Sequence, residues 1–282
     1  MKKIAIIPNP NKDIDFAVTD KVIARLISIG CMVYVHRNLG YSSSEVHIYE
    51  DLPTDIDLIV VIGGDGSVLD ASGLAVTRGI PLLGINLGKI GYLTEVEVGN
   101  LSVLDRLVTG DYSIAEKMLL SVEFEDGEKI CERYAVNDIT VSRDTFVHIA
   151  DTSVEDSIGN VLKIRADGLI FATPQGSTAY SFSSGGPIIA HDVESILFTP
   201  VSPHSFFNRS VMFNSSEIIK VTNCGDNPLN VFVDGRCIRT LSSGKACTVR
   251  KADERIKVLT FTKNSMFTSL FRKMRILGDI DR

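Results

Sequence analysis

The sequence has no long hydrophobic run and no leader-like start. No apolar stretch approaches the ~20 residues that a membrane-spanning helix needs. Only four apolar residues stand between Lys3 and Pro8, which is too few for the core of a signal peptide. We therefore expect a cytoplasmic protein that does not bind membranes.

Basic residues and cysteines are too few for several other classes of function. The formal net charge is −6, so we expect no broad basic surface and no nucleic-acid partner. A small phosphorylated ligand, by contrast, needs only a local cluster of positive groups. The five cysteines form no C-x-x-C pair and the five histidines lie far apart, which argues against a disulfide framework and a zinc ribbon. The cysteines are Cys31, Cys131, Cys224, Cys237 and Cys247.

The most informative stretch is an apolar strand followed by a glycine-rich turn. Residues 56–62 form an almost continuous apolar run, which is typical of a buried strand in a parallel sheet. Gly63, Gly64 and Gly66 let the backbone turn sharply and approach a ligand, and Ser67 can cap a helix over 67–77. Such a turn presents N–H groups to an anion. It also carries Asp65, whose charge would repel phosphate unless it held a metal or took a proton, and this indicates phosphoryl transfer.

The turn alone leaves alternatives open. Its glycines do not follow the G-x-G-x-x-G spacing of a dinucleotide fingerprint, and it lacks the Gly-Lys-Ser/Thr end of a P-loop. A plain tight turn with a capping Asp would have the same composition. The pentapeptide GGDGS at 63–67 resembles a signature of NAD kinases, of diacylglycerol and sphingosine kinases, and of phosphofructokinases.

The pattern of predicted elements changes along the chain. In the first part, strands at 3–7, 32–35, 58–62 and 81–85 alternate with helices at 13–29, 67–77 and 101–108, which predicts a parallel sheet covered on both faces. Residues 37–54 are expected to form a surface loop or a weak helix. After about Asp111, short β-rich segments separated by Gly turns indicate an antiparallel β domain. These turns are Asp126-Gly127, Ile158-Gly159-Asn160, Asp167-Gly168, Asp234-Gly235 and Ser243-Gly244. One of the segments is 147–152, and a basic amphipathic helix is predicted over 264–278.

A second glycine-rich segment follows the strand at 81–85. It runs from Gly84 to Thr94 and lies at the same sheet edge as Asp65, because the carboxyl ends of parallel strands meet there. Two such loops can bracket a ligand, and we assign Asn86, Tyr92 and Leu93 to ligand binding. A simple connecting loop is the alternative.

A run of hydroxyls and glycines in the second half surrounds a single aromatic residue. The segment from Arg165 to Pro187 joins an Asp-Gly turn to side chains that suit the hydroxyl and amide groups of a nucleotide, and Tyr180 can stack on a base. A flexible Ser/Gly linker would have a similar composition. Pro174 and Pro187 favour a rigid loop.

Taken together, these segments resemble the bacterial NAD kinase family across essentially the whole chain. The matching pieces follow the family's order: GGDGS at 63–67, GINLGKIGYLTE at 84–95, Asn137-Asp138, DGLIFATPQGSTAYSFSSGGPII at 167–189, TPVSPHSFFNR at 199–209 and VDG at 233–235. The piece at 167–189 is the most specific, because lipid kinases and phosphofructokinases lack it.

The resemblance implies a fold, an assembly and a reaction. The fold is an N-terminal α/β domain with a parallel sheet, over 1–110, a C-terminal β-sandwich over 111–262, and a final helix over 263–282 that packs back on the first domain. The family forms homodimers or homotetramers. The implied reaction transfers the γ-phosphoryl group of ATP, or of polyphosphate, to the 2′-hydroxyl of the adenosine ribose of NAD, with Mg²⁺ as the divalent cation.

The residues can be matched to that chemistry. A carboxylate within reach of a ribose hydroxyl can take its proton, and Asp65 is the candidate, although it could instead position the metal. Asn137 suits an adenine edge, and Asp138 can accept from ribose hydroxyls. By resemblance the remaining dinucleotide contacts are Arg165, Asp167, Thr178, Ala179, Tyr180, Ser181 and Ser183, with His148 and Arg236 at positions where the family often has ligand contacts.

The sequence departs from the family pattern at three positions. Ser67 replaces a threonine and keeps the hydroxyl. Asp70 lies where many members carry a basic residue that could meet a phosphate. This departure affects one expected contact with a phosphate of the phosphoryl donor. Gln175 replaces a threonine. Two other functions stay open at this point: a lipid or sugar kinase that shares the glycine turn, and a non-catalytic nucleotide-binding protein.

Overall fold

The computed structural model describes residues 1–41, 43–88, 91–124, 133–145, 148–204 and 206–261. The chain divides into two compact units, unit 1 formed by Met1–Glu116 with the chain from Ile256, and unit 2 formed by Lys117–Arg255. The predicted helix at 264–278, the predicted turn at Asp126-Gly127 and the first residue of the predicted strand at Val147 lie outside the described residues. The predicted domain boundaries stay a prediction.

Unit 1 is an α/β unit built on a parallel sheet. The strand order is β3-β2-β1-β4-β5, with β6 paired to β5, and Val258 near the end of the described chain pairs in parallel with Leu82. β4 is buried along its whole length, as expected of a strand covered on both faces. The elements are β1 Lys3–Pro8, α1 Ala17–Ser28, β2 Met32–His36, β3 His47–Tyr49, β4 Leu58–Gly63, α2 Asp65–Arg78, β5 Leu82–Asn86, β6 Val96–Glu97 and α3 Arg106–Thr109, with 3₁₀ segments at Arg37–Leu39 and Val98–Asp105.

Two local predictions for unit 1 were wrong, and a third was right only in part. Helix α2 begins at Asp65 with Gly64 as its N-cap, so Ser67 lies inside the first turn and does not cap the helix. Residues 37–54 contain β3, because parallel pairing with β2 selects a strand where the local pattern is weak. The helix predicted over 101–108 is a 3₁₀ segment that leads into the four-residue α3.

Unit 2 is a β-sandwich. One layer is a six-stranded antiparallel sheet in the order β14-β13-β12-β9-β16-β17, and the other contains the antiparallel run β11-β10-β15-β18 with β7 and β8 beside it. Apolar residues of both layers, among them Phe171, Phe198, Ile164 and Val249, form one buried cluster. The strands are β7 Ser113–Phe124, β8 Arg133–Ala135, β9 Asp138–Arg143, β10 Ala150–Glu155, β11 Val161–Ala166, β12 Gly168–Ala172, β13 Ser195–Val201, β14 Val211–Asn214, β15 Ile218–Asn223, β16 Leu229–Val233, β17 Arg236–Leu241 and β18 Ala246–Thr260, with a 3₁₀ turn at Gly176–Thr178 and helix α4 at Tyr180–Ser183.

The predicted fold class is confirmed in both units, a parallel α/β sheet followed by an antiparallel sandwich. The Asp167-Gly168 turn, however, connects β11 of one layer to β12 of the other and does not form a hairpin. None of the helices in the described part of the chain is both long and apolar enough to span a membrane.

Candidate active site

The glycine turn of unit 1 joins the end of β4 to the start of α2. Gly63 allows close packing there, because a Cβ at this position would lie 2.3 Å from Ser67 Oγ. Gly64 is the N-cap and has no side chain that could accept from the first N–H groups of the helix. Since the first N–H groups of a helix have no partner inside it, the turn presents backbone donors and the positive end of a helix dipole.

Asp65 connects this turn to the second glycine-rich segment. Its Oδ1 accepts from Tyr92 N at 2.9 Å and Leu93 N at 2.8 Å, and its Oδ2 accepts from Tyr92 N at 2.8 Å. Burial, with the nearby charge of Asp65 as a smaller cause, raises the pKa of the Tyr92 phenol. The structure therefore brings together Asp65, Tyr92 and Leu93. Both later residues meet the carboxylate through the backbone rather than through their side chains.

Asn86 ends β5 next to this turn, and its amide is occupied within the protein. Nδ2 lies 3.2–3.3 Å from the two carboxylate oxygens of Glu97, and Oδ1 accepts from Gly88 N at 2.9 Å. The side chain is buried. In this conformation Asn86 organises the loop after β5, and its predicted ligand contact stays a prediction.

The loop after β1 contributes a cation that no sequence motif marks. Asn9 N donates to Ile62 O at 2.8 Å, and Asn9 Nδ2 donates to Ser67 Oγ at 2.8 Å, so this loop is bonded to the glycine turn. A Cβ built on Gly64 would lie 2.8 Å from Lys12 Nζ. In the described part of the chain no carboxylate pairs with Lys12. The polar run Pro8–Asn11 at the carboxyl end of β1, the parallel neighbour of β4, was the available signal.

In unit 2, Asn137 and Asp138 stand at the start of β9 and are bonded through their backbones to Asp234. Asp234 Oδ1 accepts from Asn137 N at 2.8 Å and from Asp138 N at 3.1 Å, and Oδ2 accepts from Val136 N at 2.8 Å. Asp234 lies in the hairpin turn between β16 and β17. The sequence predicted that turn but assigned Asp234 no place in the site.

Asp138 is a buried acid, with 7% of its surface exposed. Burial raises the pKa of Asp138 to about 6, the charge of Asp234 adds to the rise, and the Thr140 hydroxyl at 3.3 Å opposes it. Burial also raises the pKa of Asp234, and its three backbone N–H bonds oppose the rise. Asp138 is therefore a carboxyl in a poorly solvated place, which disfavours its charged form.

The predicted loop over 178–183 divides into exposed and buried positions. Tyr180 is 46% exposed and Ser183 is exposed, whereas Thr178 and Ala179 are half-buried. Ser181 is fully buried, and its hydroxyl bonds with Thr199 Oγ1 at 2.9 Å. Ser181 therefore supports this loop from inside, while the predicted stacking partner Tyr180 is accessible.

The remaining predicted residues have the following places and contacts. Arg165 Nε is 3.8 Å from an Asp151 oxygen. Asp167 pairs with Arg143 at 3.1 Å. His148 lines a small cavity of about 170 Å³ with Arg143, and Arg236 opens β17 at the far side of the Asp234-Gly235 turn.

No protein-only metal site is visible in the described residues, since no three His, Cys, Asp or Glu side chains gather there. Mg²⁺ often binds through one or two carboxylates plus substrate phosphates and water. Asp65 beside the glycine turn fits that donor set, because its Oδ2 accepts a single N–H bond from the residues that the structure describes.

The parallel sheet, the glycine turn with its carboxylate and the β-sandwich define a phosphotransferase that acts on a nucleotide. The sequence matches the family models "ATP-NAD kinase N-terminal domain" over residues 4–112 and "ATP-NAD kinase C-terminal domain" over residues 136–261. The chain therefore belongs to the ATP-NAD kinase family. The predicted family and the predicted NAD kinase activity are confirmed, and the lipid or sugar kinase alternative is set aside.

Individual relatives agree with this assignment. The chain is 35% identical to the NAD kinase of Geobacter sulfurreducens over 280 residues, 98% of this chain and 99% of the relative. It is 34% identical to the NAD kinase of Thermoanaerobacter sp. strain X514, with 96% and 98% covered.

Two solved structures share the fold. Yeast NADH kinase complexed with NADH has a TM-score of 0.84 at 22% identity, covering 97% of this chain and 87% of that one. The NAD kinase from Archaeoglobus fulgidus in complex with ATP has a TM-score of 0.74 at 23% identity, covering 97% and 99%.

Proposed function

We propose that this NAD kinase transfers the γ-phosphoryl group of ATP to the 2′-hydroxyl of the adenosine ribose of NAD, with Asp65 as the catalytic residue. The observation that carries the proposal is the carboxylate of Asp65 at the start of α2, which is held by the backbone N–H groups of Tyr92 and Leu93. ATP as the donor is supported by the ATP complex of the Archaeoglobus fulgidus enzyme, which shares the fold.

In the proposed reaction Asp65 takes the proton of the ribose hydroxyl as its oxygen attacks the γ-phosphorus. The bond between that phosphorus and the bridging oxygen to the β-phosphate breaks, and ADP leaves with the electron pair. The N–H groups of the glycine turn and the ammonium of Lys12 stabilise the phosphate charge, since positioning and electrostatics dominate this chemistry. Asp65 is the residue that would hold Mg²⁺ bound with the nucleotide, and the cation would supply neutralisation of the phosphate charge.

Unit 2 supplies the groups proposed to hold the dinucleotide. The Asn137 amide can donate to and accept from an adenine edge, and Asp138 can accept from ribose hydroxyls. Exposed Tyr180 offers a ring on which the base can stack. The dinucleotide contacts predicted for Arg165, Asp167 and His148, and for Arg236, belong to this proposal on the strength of the family resemblance, as does self-association into a dimer or tetramer, which light scattering of the intact chain would measure.

The experiment replaces Asp65 with Asn. We expect kcat for NADP formation to fall at least about 100-fold, the range that loss of a general base produces. NAD affinity measured by calorimetry should stay within about threefold, because no dinucleotide-binding role is assigned to Asp65. Asp57→Asn is the matched control, since the Asp57 carboxylate also accepts a backbone N–H, from Lys3 at 2.8 Å, where β4 begins.

Near-wild-type turnover of Asp65→Asn would remove Asp65 from the mechanism. The Mg²⁺ dependence of the residual rate separates its two possible roles. A general base leaves the half-saturating Mg²⁺ concentration unchanged, whereas a metal-positioning carboxylate raises it. Replacing ATP by polyphosphate in the same assay tests whether the donor site accepts a chain without a nucleoside.

A further inference from the structure

The side chain of Asp234 bonds outside its own turn. Asp234 and Gly235 have φ of 47° and 79°, the two left-handed positions of a tight hairpin turn. Asx side chains in turns often bond to their own backbone. Here, instead, the carboxylate accepts three N–H groups from Val136, Asn137 and Asp138, 96–98 residues earlier in the chain.

A second contact holds the same segment by its carbonyl groups. Thr173 N donates to Asn137 O at 2.9 Å, and Thr173 Oγ1 donates to Val136 O at 2.7 Å. The Thr173 hydroxyl also accepts from Gly176 N at 2.9 Å. Gly176 approaches so closely that a Cβ there would lie 1.9 Å from Asn137 O. Both the N–H and the C=O of Asn137 are therefore fixed.

Only the amide of Asn137 is left to meet a ligand. The side chain is half-buried, and among the residues that the structure describes it has no hydrogen-bond partner. Its direction therefore depends on the backbone that Asp234 and Thr173 hold. A shift of a fraction of an ångström in that backbone would move the amide away from a fixed ligand edge.

We infer that Asp234 is a positioning residue of the dinucleotide site, which acts by holding the backbone of residues 136–138 so that Asn137 and Asp138 point at the nucleoside. The inference rests on the proposed function of that site. A second consequence is electrostatic. The charge of Asp234 is the one charged group that acts on the pKa of Asp138 in the described chain, and it raises that pKa.

Asp234→Asn separates positioning from turn formation. Asn adopts the left-handed conformation as readily as Asp, and Asn-Gly is a favoured sequence for this turn, so a residue needed only for the turn tolerates the change. A positioning residue does not, because the Asn NH₂ would point at the Val136 N–H, leaving that donor unpaired. We expect the Kd of the intact chain for NAD, measured by calorimetry, to rise at least about tenfold, the effect of losing one bond to a charged acceptor.

A pH profile gives the readout that a structural role would not produce. Removing the negative charge should lower the pKa of Asp138, so the acid limb of kcat/KM for NAD should move to lower pH. Asp156→Asn is the control, because Asp156 likewise accepts backbone N–H bonds in a turn of unit 2, from Ile158 and Asn160. Its NAD affinity and pH profile should match those of the wild type.

Thr173 provides an independent test in case Asp234→Asn does not fold. Thr173→Val removes the hydroxyl and should weaken NAD binding, while Thr173→Ser keeps it and should restore affinity. The inference is overturned if Asp234→Asn folds and binds NAD like Asp156→Asn, or if Thr173→Val and Thr173→Ser bind NAD equally well. A wild-type chain that neither binds nor phosphorylates NAD would instead overturn the proposed function.

Discussion

Asp65 in unit 1 and Asp234 in unit 2 use the same device at different sequence distances. Each carboxylate accepts backbone N–H groups from a second segment of the chain. Asp65 accepts two, one of which contacts both of its oxygens, and Asp234 accepts three. For Asp65 that segment is 27–28 residues later, in the next loop of a parallel sheet, and for Asp234 it is 96–98 residues earlier. The sequence predicted the first pair of segments to be neighbours, because the carboxyl ends of parallel strands meet at one sheet edge. No comparable rule pairs Asp234 with residues 136–138.

Close glycine contacts differ between the two units in what they meet. A Cβ on Gly63 would meet the Ser67 side chain at 2.3 Å, whereas a Cβ on Gly176 would meet the backbone of Asn137 at 1.9 Å. A side chain can rotate away, but a backbone carbonyl bonded to Thr173 N cannot move without breaking that bond. The glycine of unit 2 should therefore tolerate substitution less well.

The largest expected effect follows from that contrast. Gly176→Ala forces Asn137 away from Thr173, and we expect it to destabilise the protein by about 2–4 kcal/mol, at the upper end for overpacking of a buried site. NAD binding should be lost in the fraction that folds. Urea unfolding and calorimetry of the intact chain measure the two effects.

Gly73→Ala is the control for this substitution. Gly73 lies in helix α2, and a Cβ added there would have nothing within 4 Å, so Ala at this position should stabilise the helix by about 0.5–1 kcal/mol. Equal effects of the two changes would show that the close approach of Gly176 to Asn137 has no energetic weight.

A smaller expected effect is the pH dependence of stability that the buried acid Asp138 of unit 2 produces. The pKa of Asp138 is about 6 in the folded chain against an ordinary 3.8, so the folded state binds its proton more tightly than the unfolded state. Stability from this group is therefore full below pH 4 and is lost as pH rises through 6, by roughly 2–3 kcal/mol. Asn at position 138 does not titrate. The free energy of unfolding of Asp138→Asn minus that of the wild type should therefore be more positive at pH 7.5 than at pH 4.5.

Urea-unfolding midpoints of the wild type and of Asp138→Asn at pH 4.5 and pH 7.5 check the direction of this stability difference. The NAD affinity of Asp138→Asn should also fall, because an acceptor for ribose hydroxyls is lost. Asp156 is the opposite case. A hydrogen bond from Asn160 holds the pKa of that carboxyl below its ordinary value, so Asp156→Asn should lose stability at pH 7.5. A pH dependence of Asp138→Asn in the same direction would contradict the assignment.

The sequence predicted the local parts of the site and missed its long-range bonds. The apolar run before Gly63 and the Asp-Gly turn at 234–235 have short-range patterns, and both were found where predicted. The Ser67 cap failed because the helix begins two residues earlier and Asn9 occupies the hydroxyl. The bond from the Asn86 amide to Glu97 was not predicted from the place of Asn86 at a strand end, and its ligand contact stays a prediction. Lys12 carries no motif, and the motif that contains Asp234 does not reveal its bonds to residues 136–138, since only the folded chain brings these residues together.

The smallest expected effect tests whether Lys12 supplies the contact with the phosphates of ATP that Asp70, an acid, cannot supply. The family resemblance predicts a basic residue at position 70, where this chain has Asp70. Lys12 Nζ, by contrast, lies beside Gly64 of the glycine turn. Lys12→Gln should raise the KM for ATP about two- to fivefold, the range expected of an exposed charge pair. Added salt should shrink the difference through screening. The control is Lys21→Gln on α1, which removes an exposed charge elsewhere on the same unit. If both substitutions raise the KM for ATP equally, Lys12 acts only through the net charge of the protein.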